Sequence, residues 1–200
     1  MSTPKLDLLF PLQGKQVPLE HGYLLYAAIS NLLETPTDRW LHESDAVGLH
    51  RIRGRYVGPG LLALDHARFG LRIPADLIPR FLPLAGKPIQ LAQHSLRIGI
   101  PQPHALIPAA TLYAHLVTTK NGQDESRFDE EIARQLAALD IRGKPIRGPR
   151  RTFRIKDKQV IAHTLLVAEL TAQESIRLQE EGLGGRRKLG CGVFVGWEGN

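Results

Sequence analysis

One order of elements, met twice along the chain, constrains this sequence more than any other feature. Residues 6–12 form a short apolar run opened by Pro4, the pattern of a buried strand. Residues 20–34 follow Pro18, set Leu25, Ile29, Leu32 and Leu33 on one helical face, and are closed by Pro36. Residues 49–57 and 61–68 flank Gly58-Pro59-Gly60, a turn signal that predicts a hairpin. A short helix over 74–82, interrupted by Pro79, and a strand or hairpin over 89–100 complete the first half. The second half repeats the order: a strand over 112–119, then a helix carrying Phe128, Ile132, Leu136 and Leu139, opened by a capping-box pattern at Ser126 and Asp129. A hairpin over 152–156 and 160–170 turns at Asp157-Lys158. A second capping box, Thr171 with Glu174, opens a helix to about Glu181, and residues 191–197 alternate as a last strand. Each half therefore reads βαββαβ, the split-βαβ order of ferredoxin-like (RRM-like) folds. The expectation is an α+β protein of two tandem ferredoxin-like domains, 1–103 and 104–200, hinged at the proline-rich segment 101–108. The halves share no sequence repeat, so their likeness rests on pattern alone.

Composition agrees with a folded chain of that size. At 200 residues and 42% hydrophobic content there is enough apolar surface for a core, and disorder is excluded. No apolar run nears the roughly 20 residues needed to span a bilayer, so no membrane role is expected. The N-terminal residues lack the basic start of a signal peptide, which makes a cytoplasmic protein the default. A lone cysteine, Cys191, excludes an internal disulfide framework and any multi-cysteine zinc site.

Charge narrows the partner. The net charge of +6 favours an anionic ligand such as nucleic acid. Residues 142–158 hold eight basic side chains and one acid, a local +7. A solvated basic loop is the plain alternative. Within this stretch, however, Arg147, Arg150, Arg151, Arg154 and Lys156 alternate with apolar residues, which predicts a strand edge presenting cations to phosphates. Residues 182–192 read Gly-Leu-Gly-Gly-Arg-Arg-Lys-Leu-Gly-Cys-Gly, five glycines in eleven positions between a capped helix and the last strand. Glycines permit positive φ and close backbone approach, and successive free amides form an anion-binding concavity. Gly184, Gly185, Arg186, Arg187, Lys188 and Gly190 are thus candidate phosphate contacts. The spacing matches neither a P-loop nor a dinucleotide fingerprint.

This loop, GLGGRRKLGCGVF, after two βαββαβ patterns, resembles the CRISPR-associated endoribonucleases that cut precursor repeat RNA into guide units. VPLEHGYLLYAAISNLL is similar to that family's first helix and RWLHES to the segment after it, so the likeness runs through the whole chain in order. The resemblance implies metal-independent cleavage without a cofactor, by attack of a ribose 2′-hydroxyl on its neighbouring phosphate. Products would carry a 2′,3′-cyclic phosphate and a 5′-hydroxyl. The enzyme must supply a base for the 2′-hydroxyl proton or an acid for the departing 5′-oxygen, plus charge for the phosphorane. Histidine suits the proton transfer.

Of eight histidines, the resemblance selects His42 in RWLHES. His50, opening a strand with Arg51 and Arg53, comes second, and His21 at the start of the first helix third. For each, packing or surface hydrogen bonding is the alternative. Where a family tyrosine would align, this chain has Ser30, with Tyr26 one turn earlier, so the second catalytic group stays open. The expected partner is CRISPR repeat RNA, in stem-loop form, held at its phosphates and read partly by shape. The rival expectation is a non-catalytic RNA-binding subunit of a CRISPR effector complex, keeping the loop and basic strand without a use for His42. A two-histidine phosphoesterase wants two His-x-Ser/Thr motifs and only His42-Glu43-Ser44 is at hand. A DNA-binding module would show a basic recognition helix, and none is visible.

Overall fold

Two regions each build a sheet around the same strand order, as a computed structural model describing residues 3–197 and 199 shows. Contacts divide the chain into units Met1–Ala105 and Leu106–Asn200. Unit 1 begins with β1 (Lys5–Gln13) and β2 (Gln16–Pro18), followed by α1 (Gly22–Leu33) and the four-residue α2 (Trp40–Glu43). Strands β3 (Gly48–His50), β4 (Arg55–Gly58), β5 (Leu61–Ala63) and β6 (Arg68–Pro74) follow. Then come α3 (Ile78–Phe81), bracketed by single 3-10 turns, and β7 (Pro88–Leu91), β8 (His94–Ile98) and β9 (Gln102–Ala105). Its main sheet runs β3-β6-β1-β8-β7, all neighbours antiparallel, and β9 pairs with β1.

β1 alternates as its sequence dictates: Leu8, Phe10 and Leu12 point inward, and Phe10 stacks on Phe69 of β6 with ring centroids 4.9 Å apart. α1 buries Leu25 and Ile29 in this unit's core and packs Leu33 against it in the last turn, whereas Leu32 is 39% exposed. The hairpin at Gly58-Pro59-Gly60 is present as β4 and β5, but its strands are shorter than expected and join β2 in a separate three-stranded sheet, β2-β5-β4. The proline-rich segment read as a hinge starts instead with β9, registered from Leu6↔Ala105 to Leu9↔Gln102.

Unit 2 is plainer. It runs β10 (Leu112–Val117), α4 (Glu125–Ala138), β11 (Lys144–Ile155), β12 (Lys158–Ala168), α5 (Ala172–Glu181) and β13 (Val195–Gly196). The sheet order is β11-β12-β10-β13. Counted within each βαββαβ unit, both sheets place the strands 2-3-1-4, the ferredoxin-like arrangement. The core packs Phe128, Ile132 and Leu136 of α4 and Leu178 of α5 against Leu112, Ala114, Leu165 and Val167 of the sheet.

The α5 capping box forms as predicted, with the Thr171 hydroxyl accepting the Glu174 N–H and the Glu174 carboxylate accepting the Thr171 N–H. The box expected at Ser126 does not form. Asp124 caps α4, accepting the Arg127 N–H at 3.1 Å, so the helix starts earlier. The last strand shrinks to two residues because Gly190 and Gly192 adopt φ of +87° and +65°, which bends residues 190–194 out of extended form. Among the described residues no helix is long and apolar enough to cross a membrane.

Candidate functional site

In unit 1 a polar cluster gathers at the end of α1. Tyr26, Ser30 and Glu34 recur at four-residue spacing, which lays them along one helical face. A tight turn with paired backbone hydrogen bonds between Thr35 and Asp38, both 3.2 Å, returns the chain into α2. Leu41 is buried beneath, and Trp40 packs edge-on to Phe81 with the Arg80 guanidinium 4.5 Å above its ring. That leaves His42 on the exposed side. Its Nδ1 lies 3.3 Å from the Tyr26 hydroxyl, and its backbone N–H donates to Glu34 Oε1 at 2.7 Å. The Ser30 hydroxyl donates to Glu34 Oε2.

Partial burial, followed by the Glu34 charge, raises the Tyr26 phenol above its ordinary pKa, so it keeps its proton at neutral pH. Burial alone would lift the Glu34 carboxyl. Hydrogen bonds from Ser30 and from the amides of His42 and Leu41 outweigh it and hold the group below its usual value. The sequence places Tyr26 only one turn from where a family tyrosine would align, and gives Glu34 no part in the site. The signal was the four-residue spacing of Tyr26, Ser30 and Glu34, readable only once RWLHES is known to fold back onto that face.

The other two candidate histidines sit in different surroundings. His21 is fully buried: Nδ1 donates to Pro18 O at 2.9 Å and Nε2 accepts the Ile52 N–H at 2.9 Å, so both nitrogens join backbone segments. Burial is the main cause that pushes its pKa down to about 4. His50 Nε2 meets Asp7 Oδ1 at 2.8 Å, and the fully buried Arg72 grips the same carboxylate through Nε and Nη2, both at 2.8 Å. Both imidazoles serve the interior of unit 1. Arg51 donates to Leu19 O at 2.9 Å, whereas Arg53 is exposed.

In unit 2 the basic stretch is β11, an edge strand as predicted. A register shift between Arg147 and Arg150 divides it. Before the shift, Arg147 faces α4 and pairs with Glu125 at 2.8 Å and Asp129 at 2.9 Å. That corrects its reading as a phosphate contact, since two carboxylates already occupy its guanidinium. Beyond the shift, Arg150, Arg151, Arg154 and Lys156 are exposed along the distal hairpin. Phe153 between them is buried with Leu116, Ala162 and Cys191, which anchors this half of the strand.

The glycine-rich loop requires a larger correction. All five glycine amides donate within the protein: Gly182 to Leu178 O, Gly184 to Gln135 Oε1, Gly185 to Thr118 O, Gly190 to Arg187 O and Gly192 to Leu116 O, at 2.7–3.1 Å. They therefore form no open amide cradle. The glycines are needed for packing, because a Cβ at Gly184 would stand 2.2 Å from Thr118 O and one at Gly192 2.0 Å from Leu183 O, each at positive φ. What the loop offers an anion is its side chains. Arg186 is exposed at the crest in a left-handed conformation, Lys188 is half-buried, and Arg187 donates to Glu180 O at 2.9 Å. Gly184–Arg186 also wall an open groove of about 1020 Å³ with Thr118–Asn121 and the outer face of α4, where Arg127, Glu131 and Arg134 lie. Among the described residues no three His, Cys, Asp or Glu side chains gather as metal ligands would.

Comparison with known proteins gives one family. Residues 6–199 match the family model of Cas6, described as Cas6 Crispr. The CRISPR-associated endonuclease Cas6 of Myxococcus xanthus (strain DK1622) is 40% identical over 190 residues, covering 95% of this chain and 80% of that protein. Among solved structures, a CRISPR-associated protein Cas6 superposes with a TM-score of 0.69 at 14% identity, covering 97% of this chain and 100% of the other. A Cas6-related protein from Pyrococcus furiosus gives 0.68 at 15% identity, with 99% and 100% coverage. The two structural likenesses bear on the fold, and the match to the family model together with the 40% identical relative bears on the family.

Proposed function

The chain belongs to the Cas6 family, and from that premise we propose that it is an endoribonuclease cutting CRISPR precursor repeat RNA into guide RNAs through His42 and Tyr26. The observation that carries the assignment is their pairing: an exposed imidazole whose Nδ1 lies 3.3 Å from a phenol held in its protonated form. With Nδ1–H donating to the Tyr26 oxygen, His42 presents the lone pair of Nε2 to the 2′-hydroxyl and takes its proton as that oxygen attacks phosphorus. The imidazolium so formed strengthens its bond to Tyr26 and returns the proton to the departing 5′-oxygen. Tyr26 keeps its own O–H free to donate to a non-bridging phosphate oxygen. Nucleophile and leaving group both belong to the RNA. The products are a 2′,3′-cyclic phosphate and a 5′-hydroxyl, and the route needs no metal ion.

Arg150, Arg151, Arg154 and Lys156, with Arg186, Arg187 and Lys188 of the loop, hold RNA phosphates in this reading and set its position without reading sequence. The test is to incubate the purified protein with its repeat transcript in EDTA and map the product ends. Cleavage leaving a cyclic phosphate is expected. Both His42→Ala and a 2′-deoxy nucleotide at the cut site should stop it by at least about a hundredfold, with RNA affinity unchanged. Tight binding without cleavage by the wild-type protein would favour a non-catalytic subunit of an effector complex. Loss of cleavage in EDTA, restored by a divalent cation, would overturn the mechanism.

A further inference from the structure

We propose that Glu34 is a positioning residue: its carboxylate fastens the backbone of His42 to the end of α1 and so keeps the imidazole against Tyr26. The inference rests on the reading of His42 as the proton-moving group. α2 has only four residues, too few to hold its shape alone, and its N-cap Arg39 makes no side-chain capping bond. The opening amides of such a turn need acceptors from elsewhere. Glu34 supplies them. Oε1 accepts the His42 N–H at 2.7 Å, and the Leu41 amide also donates to the carboxylate. Oε2 accepts the Ser30 hydroxyl, which fixes the carboxylate rotamer from one helical turn back.

His42 is therefore held at two points by one face of α1: Tyr26 at the ring and Glu34 at the backbone. Neighbouring residues of α2 have anchors of their own, Leu41 in the core and Trp40 between Phe81 and Arg80. The fold of unit 1 does not hang on Glu34, but the aim of the imidazole does. A displacement of about an ångström in a group that moves a proton lowers the rate far more than it weakens substrate binding.

The experiment compares Glu34→Ala and Glu34→Gln in the full-length protein by three readouts. These are single-turnover cleavage of repeat RNA, RNA affinity, and the ring ¹⁵N shifts of His42 without RNA. Glu34→Ala is expected to slow cleavage roughly 30-fold with Kd within about twofold, and to move His42 from the Nδ1–H tautomer toward Nε2–H. Glu34→Gln keeps an acceptor oxygen for the same amides and should recover to within about threefold of wild type, with the wild-type tautomer. The proposal is overturned if Glu34→Ala leaves rate and tautomer unchanged, or if the Gln variant is as impaired as the Ala variant. If Glu34→Ala loses its thermal transition, Ser30→Ala decides, since it frees Oε2 but spares the carboxylate. A partial tautomer shift with a slowing of a few-fold supports the proposal, and no change in either refutes it. The tautomer readout needs no RNA, so it stands even if His42→Ala were to cleave normally and the catalytic reading itself were lost.

Discussion

The two units share a strand order and a net charge of +3 each, from 11 basic and 8 acidic residues in the first and 15 and 12 in the second. They differ in where those charges go. Unit 1 takes ionisable groups into its interior: Asp7 is clasped by Arg72 and His50, and His21 bridges two backbone segments. Unit 2 buries one imidazole, His163, whose Nε2–H donates to Gly122 O at 3.1 Å beside the Phe128 ring, and it sends cations to an edge strand and the crest of a loop. The sheet is thus indifferent to its use, and function resides in what hangs from it. Unit 1 adds the turn that carries His42, and unit 2 adds the long hairpin and the glycine loop. In the function proposed above, the first moves a proton and the second grips a polyanion.

The sharpest way to break that contrast is at the loop, where the expected effect is largest. Gly184→Ala puts a Cβ against Thr118 O at φ +72° and should cost about 3 kcal/mol or more, read as a lower midpoint for unit 2 in thermal unfolding. Gly185→Ala meets nothing closer than 4.0 Å and should stay within about 0.5 kcal/mol of wild type. If both variants fold normally and only RNA affinity falls, the glycines serve ligand approach after all. Next in size is the triple change Arg150→Ala, Arg151→Ala, Arg154→Ala. RNA affinity should fall about 30-fold at 0.15 M salt and the slope of log K against log salt by about 2, with cleavage at saturating RNA within threefold. Arg147→Ala alone should leave affinity unchanged, because its guanidinium already serves Glu125 and Asp129. A loss of turnover at saturating RNA in the triple variant would blur the division between the units.

The ferredoxin-like order was legible because its parts are specified locally: alternation in β1 and β10, helical spacing in α1 and α4, and the Thr171–Glu174 box. β9 escaped because Gln102–Ala105 carries no burial signal and joins the sheet through backbone pairing with β1. β2 was too short to show a period, and in unit 1 the third strand of the order is β6, at 68–74, rather than the expected run 61–68, whose first residues form β5 in the small sheet. At the candidate site, His42 came from family likeness. Tyr26 and Glu34 needed the turn at residues 35–38, which no periodicity announces. The glycine amides misled for a related reason: sequence shows that backbone groups are unencumbered by side chains, but not that Thr118, Gln135 and Leu116 lie within reach to accept them.

The last expected effect concerns acid and the imidazoles that unit 1 buries. His21 titrates near 4 in the fold against 6.5 ordinarily. As pH falls through 6.5 the unfolded chain binds the proton first, so stability is complete above that value and declines until about pH 4. The loss is roughly 1.4 kcal/mol per pH unit within the window, from this group alone. His50, lowered by burial against the pull of Asp7, adds in the same direction. Asp7 works in a lower range. Burial would raise its pKa, but hydrogen bonds and charge from His50 and Arg72 bring it well below 3.8, so its contribution holds above that pH and is lost beneath it. Each unit has its own fluorophore, Trp40 in the first and Trp197 in the second, and variants keeping one tryptophan report each unit's urea midpoint separately. Between pH 6.5 and 5 the Trp40 midpoint should fall, and His21→Gln should remove most of that fall. A Trp40 midpoint that does not move with pH, or that falls as steeply in His21→Gln, would mean that this buried imidazole does not set the acid response of unit 1.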